Sequence, residues 1–262
     1  MTTAREKITR FYRGTEGEAI AARLADLAEQ TIRSRKFRES DFLDPYGMEI
    51  AETVAANYDG VSVSFDGGYL GAERQKAVFV HADFGGTPSF DITVVRAEWN
   101  AEFARLSHRD VLGALTGLGV DRDKIGDILV TAGAVRVLTD KKMTDFLLAE
   151  WTMIGAAHVR VEQDSMESIT PREERTKEIS ATVASLRVDS VAAAGFGVSR
   201  SRAASDIESE KLRMNWQPVK NAAQAVKEGD ILSMRGRGRV EVVEVRGKTK
   251  KGRIGISLRR YL

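Results

Sequence analysis

The chain has 262 residues, 42% hydrophobic and 30% charged, with a formal net charge of +2 and no cysteine. This is the composition of an ordinary soluble globular protein, and no apolar run approaches the ~18 residues of a membrane span. The lack of cysteine excludes disulfides, thiolate zinc sites and cysteine nucleophiles; the N-terminal MTTAREKITRFYRG has no apolar core and does not read as a secretory leader.

Residues 1 to about 38 read as helical, with Ile20, Leu24, Leu27 and Ile32 near one face. FLDPYGMEIAETVAANYDG predicts a second helix, with Pro45 at an early position and a stop over residues 57–60. VSVSFDGG alternates as a strand, another strand is centred on Ala77 to His81, and GGTPS at 85–89 marks a boundary. FDITVVRAEW is a strand. SHRDVLGALTGLG is a helix capped by Ser107, with Val111, Leu112, Leu115 and Leu118 inward. GDILVTAG and AVRVLT form a hairpin about Ala132-Gly133, a helix opens at Thr139 or Asp140 and stops at Gly155, and AHVRVEQ closes the block as a strand. The order βαββαβ is the ferredoxin-like arrangement, shared by many RNA-binding and many other domains. ESITPREERTKEISATVAS, polar around Pro171, reads as a connecting segment with an extended piece.

Charge is divided unevenly. From Leu186 to Leu262 there are 17 Lys and Arg against 8 Asp and Glu, a net of +9, which leaves −7 for residues 1–185. This basic third keeps its own apolar pattern, so it is a folded domain rather than a solvated tail. Leu186, Val188, Val191 and Ala192 predict a short helix ended by Gly195. Ser199 caps a second helix from Arg200 to about Glu208, followed by a strand in KLRMNWQPV, a strand begun at Gly229-Asp230, and a hairpin with GKTKKGR at its tip. The second helix raises a question. Its first turn holds Arg200 and Arg202, where the helix dipole favours negative charge. Either both guanidinium groups sit in water, or a polyanion such as a phosphate backbone lies opposite.

Ser199 and Ser201 lie at the same helix edge. Lys211 and Arg213 alternate on the next strand, with Asn215 on that face to bond a base edge or brace a turn. Arg187 approaches from the preceding helix. Asp189 reads as a helix cap or arginine partner, and Trp216 as packing over the strand or stacking on a base. RGRGR and GKTKKGR are basic loop and hairpin features, either solvated or in contact with RNA. His108, Arg109, Asp110, Arg122 and Asp127 invite an acid–base reading, but Ser107 to Asp110 is a good helix start and Gly126-Asp127 a good strand start. They read as structural or as RNA docking. His81, His108 and His158 are too scattered for a metal motif, and no P-loop, dinucleotide turn, G-x-S-x-G or H-E-x-x-H occurs. No catalytic residue, metal or cofactor is expected.

LRVD, SRSRAA, Ile207, KLRMN and VKEGDI, in that order, resemble the S-four (S4) RNA-binding domain. Arg187, Asp189, Ser199, Arg200, Lys211, Asn215, Gly229 and Asp230 occupy the positions of its pattern. Glu210 stands where that pattern has the glycine of a helix-to-strand turn, and Trp216 where a glycine often follows the asparagine. FLDP, AERQKAVF, LSHRDVLGALTGLGVDRDKIGDI, SLRVDSV, MNW, RGRGR and GKTKKGR make the whole chain similar to the YlmH family and its cyanobacterial relatives, the photosystem II S-four domain proteins. The resemblance implies an α+β protein: an N-terminal helical and α+β part (1–88), an RRM-like βαββαβ middle domain (89–165), a connecting segment (166–185) and an S-four domain with a C-terminal β-hairpin (186–262). It implies a non-enzymatic, cytoplasmic protein that docks on large-subunit ribosomal RNA, with tRNA and ribosomal proteins as further partners, in rescue or quality control of ribosomes. The expected RNA-binding residues are Arg187, Ser199, Arg200, Ser201, Arg202, Lys211, Arg213, Asn215, Lys248, Lys250 and Lys251. Two alternatives stand beside this reading: an RNA-modifying enzyme with an appended S-four module, and a scaffold or assembly protein at a photosynthetic membrane or the division site.

Overall fold

Two compact units, Met1–Arg172 and Glu173–Leu262, make up the computed structural model, which describes residues 3–169, 175–250 and 252–261. The helical N-terminus is two helices, not one: α1 (Ala4–Tyr12), with a capping box between Thr3 and Glu6, and α2 (Glu18–Ser34). The inward face of α2 is Ala21, Leu24, Ala25, Ala28 and Thr31, while Ile32 is exposed. Small residues set this face because α3 (Pro45–Ala55) comes close: a Cβ on Gly17 would lie 2.7 Å from the Tyr46 hydroxyl. Asp44 caps α3 by accepting from Gly47 N, and Pro45 sits where its missing N–H costs nothing. The helices cover an antiparallel sheet of β1 (Phe37–Leu43), β2 (Val61–Asp66) and β3 (Gln75–His81) in the order β1-β3-β2.

The βαββαβ block follows as β4 (Ile92–Glu98), α4 (His108–Gly117), β5 (Ile125–Thr131), β6 (Ala134–Asp140), α5 (Thr144–Glu150), the small hairpin β7 (Met153–Ile154) and β8 (Ala157–His158), and β9 (Arg160–Asp164). Its antiparallel sheet runs β5-β6-β4-β9, the ferredoxin-like strand order. Val95, Ala97, Val135 and Val137 bury one sheet face under α4 and α5, against Val111, Leu115, Leu147 and Trp151. Gly155 does not end α5; it turns the β7–β8 hairpin at φ 59°.

The other sheet face is where the N-terminal part docks, so residues 1–88 and 89–165 share one compact unit. Val94 and Leu138 pack with Phe42, Tyr69, Met166 and Ile169. Beside them Lys76 of β3 is fully buried, its Nζ 2.9 Å from Asp140 Oδ2 and 3.4 Å from Glu39 Oε2.

The second unit is a six-stranded antiparallel sheet under two helices. Its elements are β10 (Thr176–Val183), α6 (Val188–Phe196), α7 (Arg200–Glu208), β11 (Leu212–Met214), β12 (Gln217–Pro218), β13 (Ile231–Met234), β14 (Gly238–Lys248) and β15 (Ile254–Tyr261), in the sheet order β10-β15-β14-β13-β11-β12. Val191, Phe196, Ala203 and Ile207 of the helices pack on Val240, Val242, Ile256 and Leu258. A Cβ on Gly195 would lie 2.7 Å from a Val240 methyl, so glycine sets how closely α6 approaches the sheet. Within the segment 166–185, read as a connector, residues 176–183 form a strand: β10 pairs with β15 along its whole length, and Ile179, Ala181 and Val183 supply an inward apolar face within a polar strand. Pro171 lies outside the described residues.

Candidate nucleic-acid interface

Helix α7 starts where Ser199 predicts, and the Ser199 hydroxyl accepts from Arg202 N at 3.1 Å. The two arginines of its first turn are tolerated because two buried carboxylates lie beneath them. Arg200 donates through Nε and Nη2 to Asp189 Oδ2 at 3.0 and 2.9 Å, and Arg187 reaches the same carboxylate at 3.3 Å. Arg202 donates to Asp206 Oδ2 at 3.1 Å, one helical turn on, and Lys211 meets Asp206 Oδ1 at 3.4 Å. The Asp189 and Asp206 side chains are 6% and 5% exposed, whereas Arg200 and Arg202 keep 53% and 57%. The two arginines are therefore not simply solvated, and their exposed edges remain open to an anion. The guanidinium groups are neither loose in water nor buried; each is anchored along one edge and presents the rest to solvent. Arginine suits this role because its planar fork can bond on two edges at once.

The sequence singles out Asp189 but not Asp206, and its list of site residues omits Arg235 and Arg237. The turn between β13 and β14, RGRG, takes positive φ at Gly236 (79°) and Gly238 (84°) and leaves both arginines exposed. With Arg202, Asp206 and Lys211 they line a cleft of about 420 Å³. Arg202, Lys211, Arg235 and Arg237 thus line one cleft with a single carboxylate, and the cleft carries a positive excess on folded backbone.

Other expected site residues are dispersed. Ser201 Oγ lies 3.0 Å from Ser199 Oγ at the helix start. Arg213 turns to the Trp216 carbonyl at 2.8 Å. Asn215 braces the structure: its Nδ2 donates to Asp230 Oδ1 and its Oδ1 accepts from Ile231 N, both at 2.9 Å. Asn215 (φ 50°) and Trp216 (φ 63°) form the tight β11–β12 turn, and Glu210 takes φ 53° where the S-four pattern has glycine. Left-handed conformations at Glu210 and Trp216 cost about 1–2 kcal/mol each, so the turn geometry is kept despite both departures from that pattern. Lys248 ends β14, an 11-residue strand, so it stands about 30 Å along that strand from the RGRG turn. Lys250 belongs to the same distant tip, and Lys251 lies outside the described residues.

Of the cluster considered for the middle domain, Asp110, Arg122 and Asp127 have structural roles, while His108 and Arg109 are exposed. Asp110 completes a capping box with Ser107. Asp127 accepts from Tyr69 Oη at 2.7 Å and from the backbone N–H groups of Glu73 and Arg74, tying β5 to the loop before β3. Burial, together with the nearby Arg74, pushes the Arg122 guanidinium down to about 10. Among the described residues no group of three or more His, Asp or Glu is placed to hold a metal ion.

Burial alone would raise the Asp189 and Asp206 carboxyls. Their hydrogen bonds from Arg200, Arg187 and Ser190, and from Arg202 and Lys211, outweigh it and hold both below the usual range. A depressed folded-state value gives stability that is present above the unfolded value and lost as pH falls through the folded one. The urea midpoint of the second unit should therefore decline from about pH 4 downward, and Asp189→Asn should flatten that decline. Fluorescence of Trp216, the one tryptophan of that unit, reads it; an unchanged acid limb in the variant contradicts the assignment.

An αα pair over an antiparallel sheet, with arginines anchored at the second helix start, defines an S4-domain protein. Three family models match along the chain: "YlmH, N-terminal" over residues 16–84, "Putative RNA-binding domain in YlmH" over 87–168, and "S4 domain" over 186–232. The chain belongs to the YlmH family. It is 32% identical over 226 residues to the Ribosome-associated protein quality control protein P2 of Bacillus subtilis (strain 168), covering 86% of this chain and 88% of that protein. The solved structure of Cell division protein ylmH from Streptococcus pneumoniae shares its fold, at 21% identity and a TM-score of 0.50, over 59% of this chain and 95% of that one. No helix among the described residues is long and apolar enough to cross a membrane.

Proposed function

We propose that this protein is a non-enzymatic, cytoplasmic RNA-binding protein that associates with the ribosome. Its second unit docks on ribosomal RNA of the large subunit, with tRNA as a neighbouring contact, in quality control of stalled ribosomes. The observation that carries the reading is the anchoring of exposed guanidinium groups by buried Asp189 and Asp206 around the start of α7, beside the Arg235–Arg237 cleft. Such a surface is pre-organised for phosphate: helix N–H donors, forked cations and little ordering entropy left to lose. The ribosomal placement is supported by the name of the Bacillus subtilis relative.

Charge reversal at Arg200 and Arg202 is a poor test, because a carboxylate there would face Asp189 or Asp206 and disturb the fold. Arg235→Gln with Arg237→Gln lies in an exposed turn and spares both buried pairs. Binding to purified large-subunit RNA over a salt series should weaken, with the slope of log affinity against log salt reduced by about two. Co-sedimentation with large subunits should fall in parallel. An unchanged slope and unchanged co-sedimentation would sink the proposal.

A further inference from the structure

The middle domain has a ferredoxin-like sheet of the kind that RRM proteins use as an RNA platform, stacking bases on aromatic side chains of the open face. Here that face is not available for stacking. Val94 and Leu138 are buried under Phe42, Met166 and Ile169. Of the next residues on the same face, Arg136 is paired with Asp164 at 2.7 Å and Arg96 with Glu98 and Glu162. Register places Val94, Arg96, Glu98, Ala134, Arg136 and Leu138 on it, and none is aromatic.

Aromatic surface appears instead in the loop after β4. Phe103 is 86% exposed on a backbone that is well held: Trp99 N donates to Gly133 O at 2.9 Å, and Phe103 N donates to Asn100 O at 3.2 Å. Trp99 Nε1 donates to Ala104 O at 2.9 Å. An ordered loop that keeps a phenyl ring in water gains nothing in folding from that ring. The ring borders a cleft of about 560 Å³ whose walls include Trp99, Leu106 and Ala157, with Arg105 and His158 at its polar positions and no carboxylate in its lining. Aromatic walls, a cation and an imidazole, without an acid, complement a flat heterocycle attached to an anion. A basic or acidic peptide would meet one charge here but leave the stacking surface unused.

We propose that this cleft seats one unpaired nucleobase of single-stranded RNA, with Phe103 stacked on its face and Arg105 and His158 meeting the flanking phosphate. The site is separate from the α7 surface, and it rests on the reading that the chain binds RNA. The test uses the full chain and an oligouridine carrying 4-thiouridine. Photocrosslinks should map to the segment around Phe103, and Phe103→Ala should abolish them. The same variant should weaken affinity for the single strand about tenfold, the size of one lost base stack, and leave a blunt duplex unaffected. Phe103→Tyr should restore both crosslinking and affinity, because it restores the ring. Crosslinks confined to the second unit, or an unchanged affinity in Phe103→Ala, overturn the proposal; the latter is what a protein side chain in the cleft would give. If Arg235→Gln/Arg237→Gln still weakens RNA binding in that case, only the cleft is refuted. If neither variant has an effect, the RNA-binding reading fails as well.

Discussion

Lys76→Met should destabilise the first unit by about 3–5 kcal/mol, the usual result of removing one partner from a buried ion pair. The Lys76 side chain is fully buried, and Asp140 beside it is only 5% exposed. Without the ammonium group, Asp140 and Glu39 would face each other across an apolar space next to the Phe42 ring, whose centroid lies 5.7 Å from Nζ. Asp140 could not be rehydrated without opening the contact between the N-terminal sheet and the βαββαβ sheet, whereas Glu39 is 19% exposed. The two acids are not equivalent. Burial raises the Glu39 carboxyl despite Lys76, so Glu39→Gln removes a charge that the fold already disfavours and should cost about 1 kcal/mol or less. Asp140 is held below the usual range against its burial, by Lys76 and by Lys142 N, so Asp140→Asn should fall nearer Lys76→Met. Hydrogen exchange on the full chain checks this order. Lys76→Met should strip protection from β1, β3 and β6 and leave β14 and β15 protected, since those strands belong to the separate core around Val240 and Leu258. Equal protection loss in both units, or none, would contradict it.

What could be read in the sequence was mostly local. The Ser199 cap, the Ser107 box and the Ala132-Gly133 hairpin all depend on residues within four positions of each other, where side-chain and backbone preferences act directly. The βαββαβ order was legible because its strands and helices alternate period. The union of the N-terminal part with the middle domain was not, because it depends on Lys76 with Asp140 and on Tyr69 and Arg74 with Asp127, pairs separated by more than fifty residues. Strand β10 was obscured because its outward positions are Thr, Glu and Ser, so charge and polarity masked the inward Ile179, Ala181 and Val183. In the candidate site, motif position identified Arg200 and Lys211. Their anchoring carboxylates lie close in sequence, but a propensity pattern does not distinguish an acid that caps a helix from one that holds an arginine.

That distinction yields the largest expected effect in the second unit. Arg187→Gln with Arg200→Gln would leave the buried Asp189 carboxylate held by the Ser190 hydroxyl without either arginine, and should cost about 3–5 kcal/mol of stability. RNA binding by such a protein would fall whether or not the guanidinium groups touch phosphate. The triple variant that adds Asp189→Asn separates the two roles. It removes the stranded charge and leaves amide partners in place, so most of the lost stability should return. If the arginines grip a phosphate backbone, RNA affinity should remain low by about tenfold or more, since a hydrogen bond to a charged group is worth about 1.5–3 kcal/mol. If they serve only the fold, affinity should recover with the urea midpoint. Asp189→Asn alone supplies the opposite case: both cations are retained without their anchor, and net charge rises by one. Simple attraction predicts tighter binding; a pre-oriented fork predicts weaker binding with a shallower dependence on salt, because fewer phosphate contacts are made. Measured together on large-subunit RNA, the three variants show whether Asp189 acts as a counter-ion that lowers affinity or as the support that gives the arginines their aim.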